Sequence, residues 1–332
     1  MANSSAYLDA IGKPLRVGEA EIPQPGKHDI VVKNRAIALN PADHMQANTN
    51  FMNFPYPIVL GSDVAGHVHS VGTQVTRFQP GDRVAGFAQW LIRGTPEDGA
   101  FSLYTRLPAG NAARIPESVS FNEGAVLGMA IGTAVSGLNG EGHLGLLFPT
   151  LNTESDGRVL VVYGGSSSIG SMAIQLAAAA GLRVVSISSA KNFDMCRRCG
   201  ASSTFDYTSA SVVDDVVAAV GKDPCVGIFE SISSEDSFKT SLAILEKLGG
   251  GRMACSLPPP KELSDHIKAT WMVATGEHSI PVFEDFVTQA LESGRLKCLP
   301  EPLVVGKGLE SLQKALEVLQ AGMSARKVVV EL

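Results

Sequence analysis

No cysteine precedes Cys196, and the five present (Cys196, Cys199, Cys225, Cys255, Cys298) are an odd number spread through the second half. This argues against a disulfide framework, so the thiols are read as reduced. Long apolar runs are missing too. No stretch approaches the roughly 20 residues that span a bilayer, and residues 1–5 lack the basic and apolar regions of an export signal. A soluble, cytoplasmic protein is expected. Runs of Lys and Arg are equally absent: 33 acidic residues face 27 basic ones, for a formal net charge of -6. Without a basic stripe to neutralise phosphates, nucleic acid is not an expected partner.

What is present is a chain of 332 residues, 45% hydrophobic, enough for a large core and about two domains. Through about residue 125 the sequence is rich in Pro, Gly and short β-branched runs such as Ile30-Val31-Val32-Lys33, which predict short strands joined by tight turns. From Gly124 an apolar helical segment leads through Leu138 to a glycine-containing loop. Strands at 158–163, 183–187, 203–205, 226–229 and 252–255 then alternate with helical patterns such as 171–180 and 238–248, predicting parallel strands with right-handed crossovers. After Trp271 come a helix (281–292), an extended run (299–305), a helix (309–320) and a last strand (327–331), expected to return in part to the first domain. The fold predicted is α/β: a nucleotide-binding domain over 126–274 beside a β-rich domain formed by 1–125 and 275–332.

The chemistry starts at Val159-Leu160-Val161-Val162-Tyr163, a buried-strand run passing into Gly164-Gly165-Ser166-Ser167-Ser168-Ile169-Gly170 and an Ala-rich helix. Strand, glycine turn and helix come in the order a pyrophosphate site requires, because small residues admit the phosphates and the helix start offers N–H groups. A βα turn without a ligand is the plain alternative. An NAD site usually ends its second strand in Asp or Glu, which binds the ribose hydroxyls. Here that strand ends in Ser188-Ser189-Ala190-Lys191. No carboxylate there repels a 2′-phosphate, and two hydroxyls and an ammonium can bind it, so NADPH is expected. Lys191 is otherwise an ordinary surface lysine, and Tyr207 either adds a hydroxyl or packs at the adenine edge.

Five further segments follow in a known order: Ala38-Leu39-Asn40-Pro41-Ala42-Asp43, Pro57-Ile58-Val59-Leu60-Gly61-Ser62-Asp63-Val64-Ala65-Gly66, Phe78-Gln79-Pro80-Gly81-Asp82-Arg83-Val84, the Gly-Gly-Ser turn, and Ser324-Ala325-Arg326-Lys327-Val328-Val329-Val330. Over nearly its whole length the chain resembles the quinone oxidoreductase and enoyl reductase branch of the medium-chain dehydrogenases, and is similar to fungal zinc-independent members that include trans-acting enoyl reductases of polyketide pathways. The resemblance implies a GroES-like substrate domain, completed by the C-terminal segment, and a Rossmann domain. It implies NADPH contacts at Asp43, His44, Gln46, Ser166, Ser167, Ser168, Ile169, Ser188, Ser189, Lys191, Tyr207, Leu257, Lys327 and Val328. Thr133 would face the nicotinamide, or simply bond its own helix backbone. Zinc-dependent relatives carry a Cys and a His-Glu pair where this chain has Asn40 to Asp43 and Ser62-Asp63, so no metal is expected. Cys196-x-x-Cys199 lacks a second pair to complete a zinc site.

Without a Lewis acid, a conjugated acceptor is easier to reduce than an isolated carbonyl, since the developing charge falls on an oxygen that a few donors can stabilise. The proton donor is open among His44, Tyr56, Thr133 and solvent; no Tyr follows the Asn-Pro-x-Asp element until Tyr56, which is equally a packed turn residue. Phe51, Met129, Trp271, Met272 and Phe283 are implied pocket residues, with core packing as the plain alternative. Three functions stay in view: reduction of an activated alkene, with a polyketide synthase as a possible partner; quinone reduction of broad specificity; and non-catalytic NADPH binding. The segment 268–273 reads as an edge strand able to pair across a two-fold axis, giving a homodimer, or to pack under its own chain as a monomer.

Overall fold

Runs of Val and Ile become strands wherever both of their faces can be covered, and the computed structural model, which describes residues 3–332, contains sixteen strands among those residues. Of the N-terminal stretch considered above, Met1 and Ala2 lie outside the described residues. In chain order the strands are β1 (Asn3–Leu8), β2 (Arg16–Ala20), β3 (Asp29–Ala38), β4 (Ile58–Val59), β5 (Asp63–Val71), β6 (Arg83–Phe87), β7 (Tyr104–Pro108) and β8 (Ala112–Arg114). Then β9 (Val159–Tyr163), β10 (Arg183–Ser188), β11 (Ser203–Asp206), β12 (Cys225–Glu230), β13 (Gly251–Cys255) and β14 (Ile267–Trp271) alternate with helices, and β15 (Glu301–Lys307) and β16 (Arg326–Glu331) end the chain.

The chain divides into two units. The first holds the described residues up to Met129 with Thr275–Gly294 and Glu301–Leu332; the second holds Ala130–Ala274 with Arg295–Pro300. The boundary falls inside the helix Gly128–Asn139.

In the first unit β2, β1 and β4 form a small sheet, and a larger one runs β15-β16-β3-β5-β6-β8, with β7 also paired to β3. Its core combines Leu8, Ile30, Ile37, Leu60, Trp90, Phe101 and Leu107 with Leu312 and Leu316 of the helix Leu312–Ala321 and Val328 and Val330 of β16. At about 1.5–3 kcal/mol for each large apolar side chain buried, these last four make the C-terminal segment an integral part of that core.

The second unit is one parallel sheet of order β11-β10-β9-β12-β13-β14. This is the doubly wound dinucleotide-binding order, which reverses at β9, so the site belongs at that strand's carboxyl end. All five residues of β9 are buried, as a central parallel strand covered on both faces requires.

Two predicted helices differ from the observed ones. The 281–292 helix is two helices, Ile280–Asp285 and Val287–Glu292, with Phe286 between them stretched to φ -118. The segment expected to be helical from Gly124 is helical only from Gly128; before it a short helix, Phe121–Gly124, is opened by a reciprocal cap between Ser120 and Glu123.

Candidate functional site

The turn after β9 is built from backbone. Gly164 has φ +78, and a Cβ there would lie 2.4 Å from Ser231 Oγ; at Gly165 a Cβ would lie 2.0 Å from Ser186 Oγ. Only glycine fits both places. The amides of Gly164 and Gly165 both donate to Ile187 O, at 2.9 and 3.0 Å, which ties the turn to β10. Ser167 caps the helix Ser168–Ala179, its Oγ accepting the Gly170 amide at 3.0 Å. The amides that begin such a helix have no intrahelical acceptor and carry its positive dipole end. Ser168 Oγ is buried and has no hydrogen-bond partner among the described residues. A tight side-chain-free turn, amides at a helix start and an orphan hydroxyl are what a dinucleotide pyrophosphate needs, so the residues present fit that group.

At the end of β10 the predicted phosphate ligands separate. Ser188 is 3% exposed; its Oγ donates to Ser189 O at 3.3 Å and accepts the Cys196 thiol at 3.5 Å. That hydroxyl is turned into the unit's interior, since a parallel sheet covered on both faces buries both parities of a strand. Ser189 is half buried and Lys191 exposed. Asn192, which sequence reasoning missed, donates from Nδ2 to Ser166 Oγ at 3.1 Å and to Ser189 Oγ at 3.0 Å, joining the glycine turn to the end of β10. Asp206 was missed as well: it pairs in register with Ser188. The backbone and hydroxyl of Thr208, with the Ala190 amide, hold its carboxyl below the usual range. Tyr207 beside it is half exposed, and its amide donates to Ser188 O at 3.2 Å.

Elsewhere in this unit Leu257 is exposed, its amide donating to Ser233 Oγ at 3.2 Å. Exposed Trp271 donates from Nε1 to Ser256 O at 3.1 Å. Met272 is buried; a Cβ at Gly137 would lie 2.6 Å from its Sδ, so it packs on the helix as core. Thr133 on that helix is half buried. Cys196 and Cys199 are both buried, and burial pushes the Cys199 thiol up to about 12. Among the described residues no group of three or more His, Cys, Asp and Glu is placed to hold a metal ion.

In the first unit most of the implied contacts are spent internally. The helix Pro41–Thr49 begins at Asn40, whose amide donates to Asp43 Oδ2 at 2.8 Å, and Gly61 N donates to Asp43 Oδ1 at 3.1 Å. Asp43 is fully buried. Burial pushes its carboxyl up to about 7, helped by the charge of Asp63 and opposed by those two amides and by Lys327. Asp63 accepts Lys327 Nζ at 3.0 Å, Asn40 Nδ2 at 2.9 Å and the Met129 amide at 2.5 Å, and Lys327 Nζ also donates to Asn40 Oδ1 at 2.6 Å. Lys327 is 4% exposed, and Val328 beside it is core.

Gln46 is likewise consumed, donating to Asn50 Oδ1 at 2.5 Å and accepting the Met52 amide at 3.1 Å. Phe283 is fully buried against Phe87, ring centroids 5.9 Å apart. Tyr56 packs on the core, its buried Oη has no partner among the described residues, and burial raises its pKa. His44 and Phe51 are not consumed in this way. His44 is half buried, and Asn48 Nδ2 donates to its Nδ1 at 3.0 Å; Phe51 is exposed.

The chain matches two family profiles, "Alcohol dehydrogenase GroES-like domain" over residues 26–117 and "Zinc-binding dehydrogenase" over 168–275. A protein of Emericella nidulans described as dehydrogenase orsE is 46% identical, with 99% of each chain covered. The trans-enoyl reductase himH of Aspergillus japonicus is 34% identical over 96% of this chain and 94% of that protein. A solved quinone oxidoreductase of Pseudomonas syringae pv. Tomato DC3000 is 25% identical and superposes with a TM-score of 0.75 over the full length of both chains. Matched along its length in sequence and in fold, with a GroES-like first unit and a Rossmann-like second, the chain belongs to the medium-chain dehydrogenase/reductase superfamily of oxidoreductases, whose members bind nicotinamide cofactors.

Proposed function

We propose that the protein is an NADPH-dependent reductase of carbonyl-conjugated C=C bonds that works without a metal. The observation that carries this is the glycine turn with the orphan Ser168 hydroxyl, joined through Asn192 to Ser189 beside exposed Lys191. Ser166, Ser167, Ser168 and Ile169 would hold the pyrophosphate, Ser189 and Lys191 the 2′-phosphate, and Tyr207 and Leu257 the flanks of the nucleotide. When bound, the nicotinamide supplies the hydride.

His44 is our choice of proton donor. Asn48 Nδ2 donates to its Nδ1, which leaves Nε2 as the ring nitrogen to deliver a proton. Asp43 and Gln46 hold this helix and the segment after it through the bonds described above, and Lys327 ties Asn40 at its start to Asp63. Metal independence is supported by the donor set: Asn40 and Asp63 are taken by Lys327 and by each other, and Ser62 Oγ accepts Trp90 Nε1 at 3.0 Å. The relatives described as trans-enoyl reductases favour an enoyl acceptor, delivered on the carrier of a polyketide synthase; the likeness to a quinone oxidoreductase favours a quinone as the second reading.

NADPH oxidation measured against enones, enoyl thioesters and quinones tests both. Turnover confined to the enones and thioesters supports the first, turnover confined to quinones replaces it with the second, and binding without turnover makes the protein a non-catalytic NADPH binder. Stoichiometric zinc, lost together with activity on chelation, would overturn metal independence.

A further inference from the structure

One buried carboxylate of the second unit takes part in none of this. Glu230 ends β12, facing Tyr163 of β9 and Cys255 of β13 in register, and is fully buried. Its Oε1 accepts the amides of Ile232 and Ser233, both at 2.9 Å, and its Oε2 accepts Ser241 Oγ at 2.7 Å. Burial raises its pKa, while the Ser233 amide, the Ser241 hydroxyl, the Ile232 amide and the Ser237 hydroxyl pull it back.

The loop held in this way is under strain, because Ser233 sits at φ 55, where a side chain is disfavoured. It also grips its neighbours on both sides. Ser231 Oγ donates to Tyr163 O at 2.7 Å and Gly164 O at 3.0 Å, and accepts Ser167 Oγ at 2.9 Å. Ser167 is the residue that caps the pyrophosphate helix. On the other side Ser233 Oγ meets Ser256 Oγ at 3.0 Å and accepts the Leu257 amide at 3.2 Å.

We propose that Glu230 is a positioning residue for the cofactor: its carboxylate fixes the 231–234 loop, and through Ser231 and Ser233 that loop holds the glycine turn and the loop after β13 in one arrangement. A carboxylate suits the task because one oxygen can accept two amides while the other accepts a hydroxyl, with no donor of its own to misplace. The inference rests on the NADPH site proposed above.

Glu230→Ala should raise the Kd for NADPH about tenfold or more, as expected when hydrogen bonds to a buried charged acceptor are lost. The KM for NADPH should rise with it, while kcat at saturating NADPH changes less than about twofold. Glu230→Gln can still accept both amides on its oxygen and donate to Ser241, so it should stay within about threefold of wild type. If Glu230→Ala does not fold, Ser231→Ala carries the test, since it removes the grip on the turn and leaves the carboxylate in place; it should weaken NADPH several-fold.

Amide hydrogen exchange without cofactor is the independent arm: Glu230→Ala, or Ser231→Ala in its stead, should speed exchange in peptides covering 163–170, and Glu230→Ala also in those covering 231–234 and 256–258. A folded Glu230→Ala that binds NADPH within twofold of wild type, or faster exchange confined to 231–234, overturns the proposal. If the wild type binds neither NADPH nor NADH, the proposed function fails, and the exchange arm alone decides whether Glu230 ties the three loops together.

Discussion

The two units use polar side chains in opposite ways. Around the glycine turn the amides that begin the helix Ser168–Ala179 have no intrahelical acceptor, and the buried Ser168 Oγ has no partner among the described residues. Around Asp43 and Asp63 the polar atoms are closed on one another, and an ammonium sits inside the cluster with 4% of its surface exposed. A residue in a binding motif can therefore serve by touching a ligand or by holding the segment that does, and motif position alone does not distinguish the two.

The sharpest way to break this contrast is Lys327→Ala, which would leave Asp63 buried without its cation. We expect a loss of about 3–5 kcal/mol in denaturant unfolding, with NADPH affinity of the folded fraction little changed. A large affinity loss at full stability would instead put Lys327 on the ligand.

Asp43 should show itself through pH. Its folded pKa, about 7, lies above its ordinary 3.8, so the stability it contributes is complete below about pH 4 and is lost as pH rises through 7. The effect is at most on the order of 4 kcal/mol, and Asp43→Asn should flatten this part of the stability–pH curve. A curve unchanged by the substitution would show that Asp43 does not titrate in that window.

On the other side of the comparison, Gly165→Ala forces a Cβ against Ser186 and should cost about 1–3 kcal/mol of stability and abolish measurable NADPH binding in titration. Lys191→Ala, at the exposed rim, should weaken NADPH by about 1–3 kcal/mol and leave NADH almost untouched; equal losses would remove the 2′-phosphate assignment. The smallest effect concerns assembly. Strand β14 lies at the sheet edge with Trp271 half exposed, and we propose that it pairs with a second copy. Sedimentation at rising concentration should show dimer, and a species of 34.8 kDa throughout would refute pairing.

Much of the fold was legible because its signals are local: β9, its glycines and the following helix are contiguous, and the β-branched runs mark the strands. The structure adds what sequence spacing hides. Ser188 points inward although its neighbour Ser189 does not, because burial on both faces erases the parity signal. Asn192 reaches back to Ser166, and Asp206 arrives from an adjacent strand. The partners of Lys327 lie hundreds of positions away, Asn40 at a separation of 287 residues. No periodicity in a single segment encodes such pairs.

The placement of β16 between β15 and β3 has a consequence for biosynthesis. Most of the second unit is one uninterrupted stretch, Ala130–Ala274, so its sheet can form while later residues are still being translated. The first unit cannot finish until β16 has been translated, because Val328 and Val330 complete a core begun by Leu8 and Ile30. A nascent chain stopped short of Arg326 would leave residues 36–38 of β3 without their partner strand. Termination before β16 should therefore yield an aggregation-prone product.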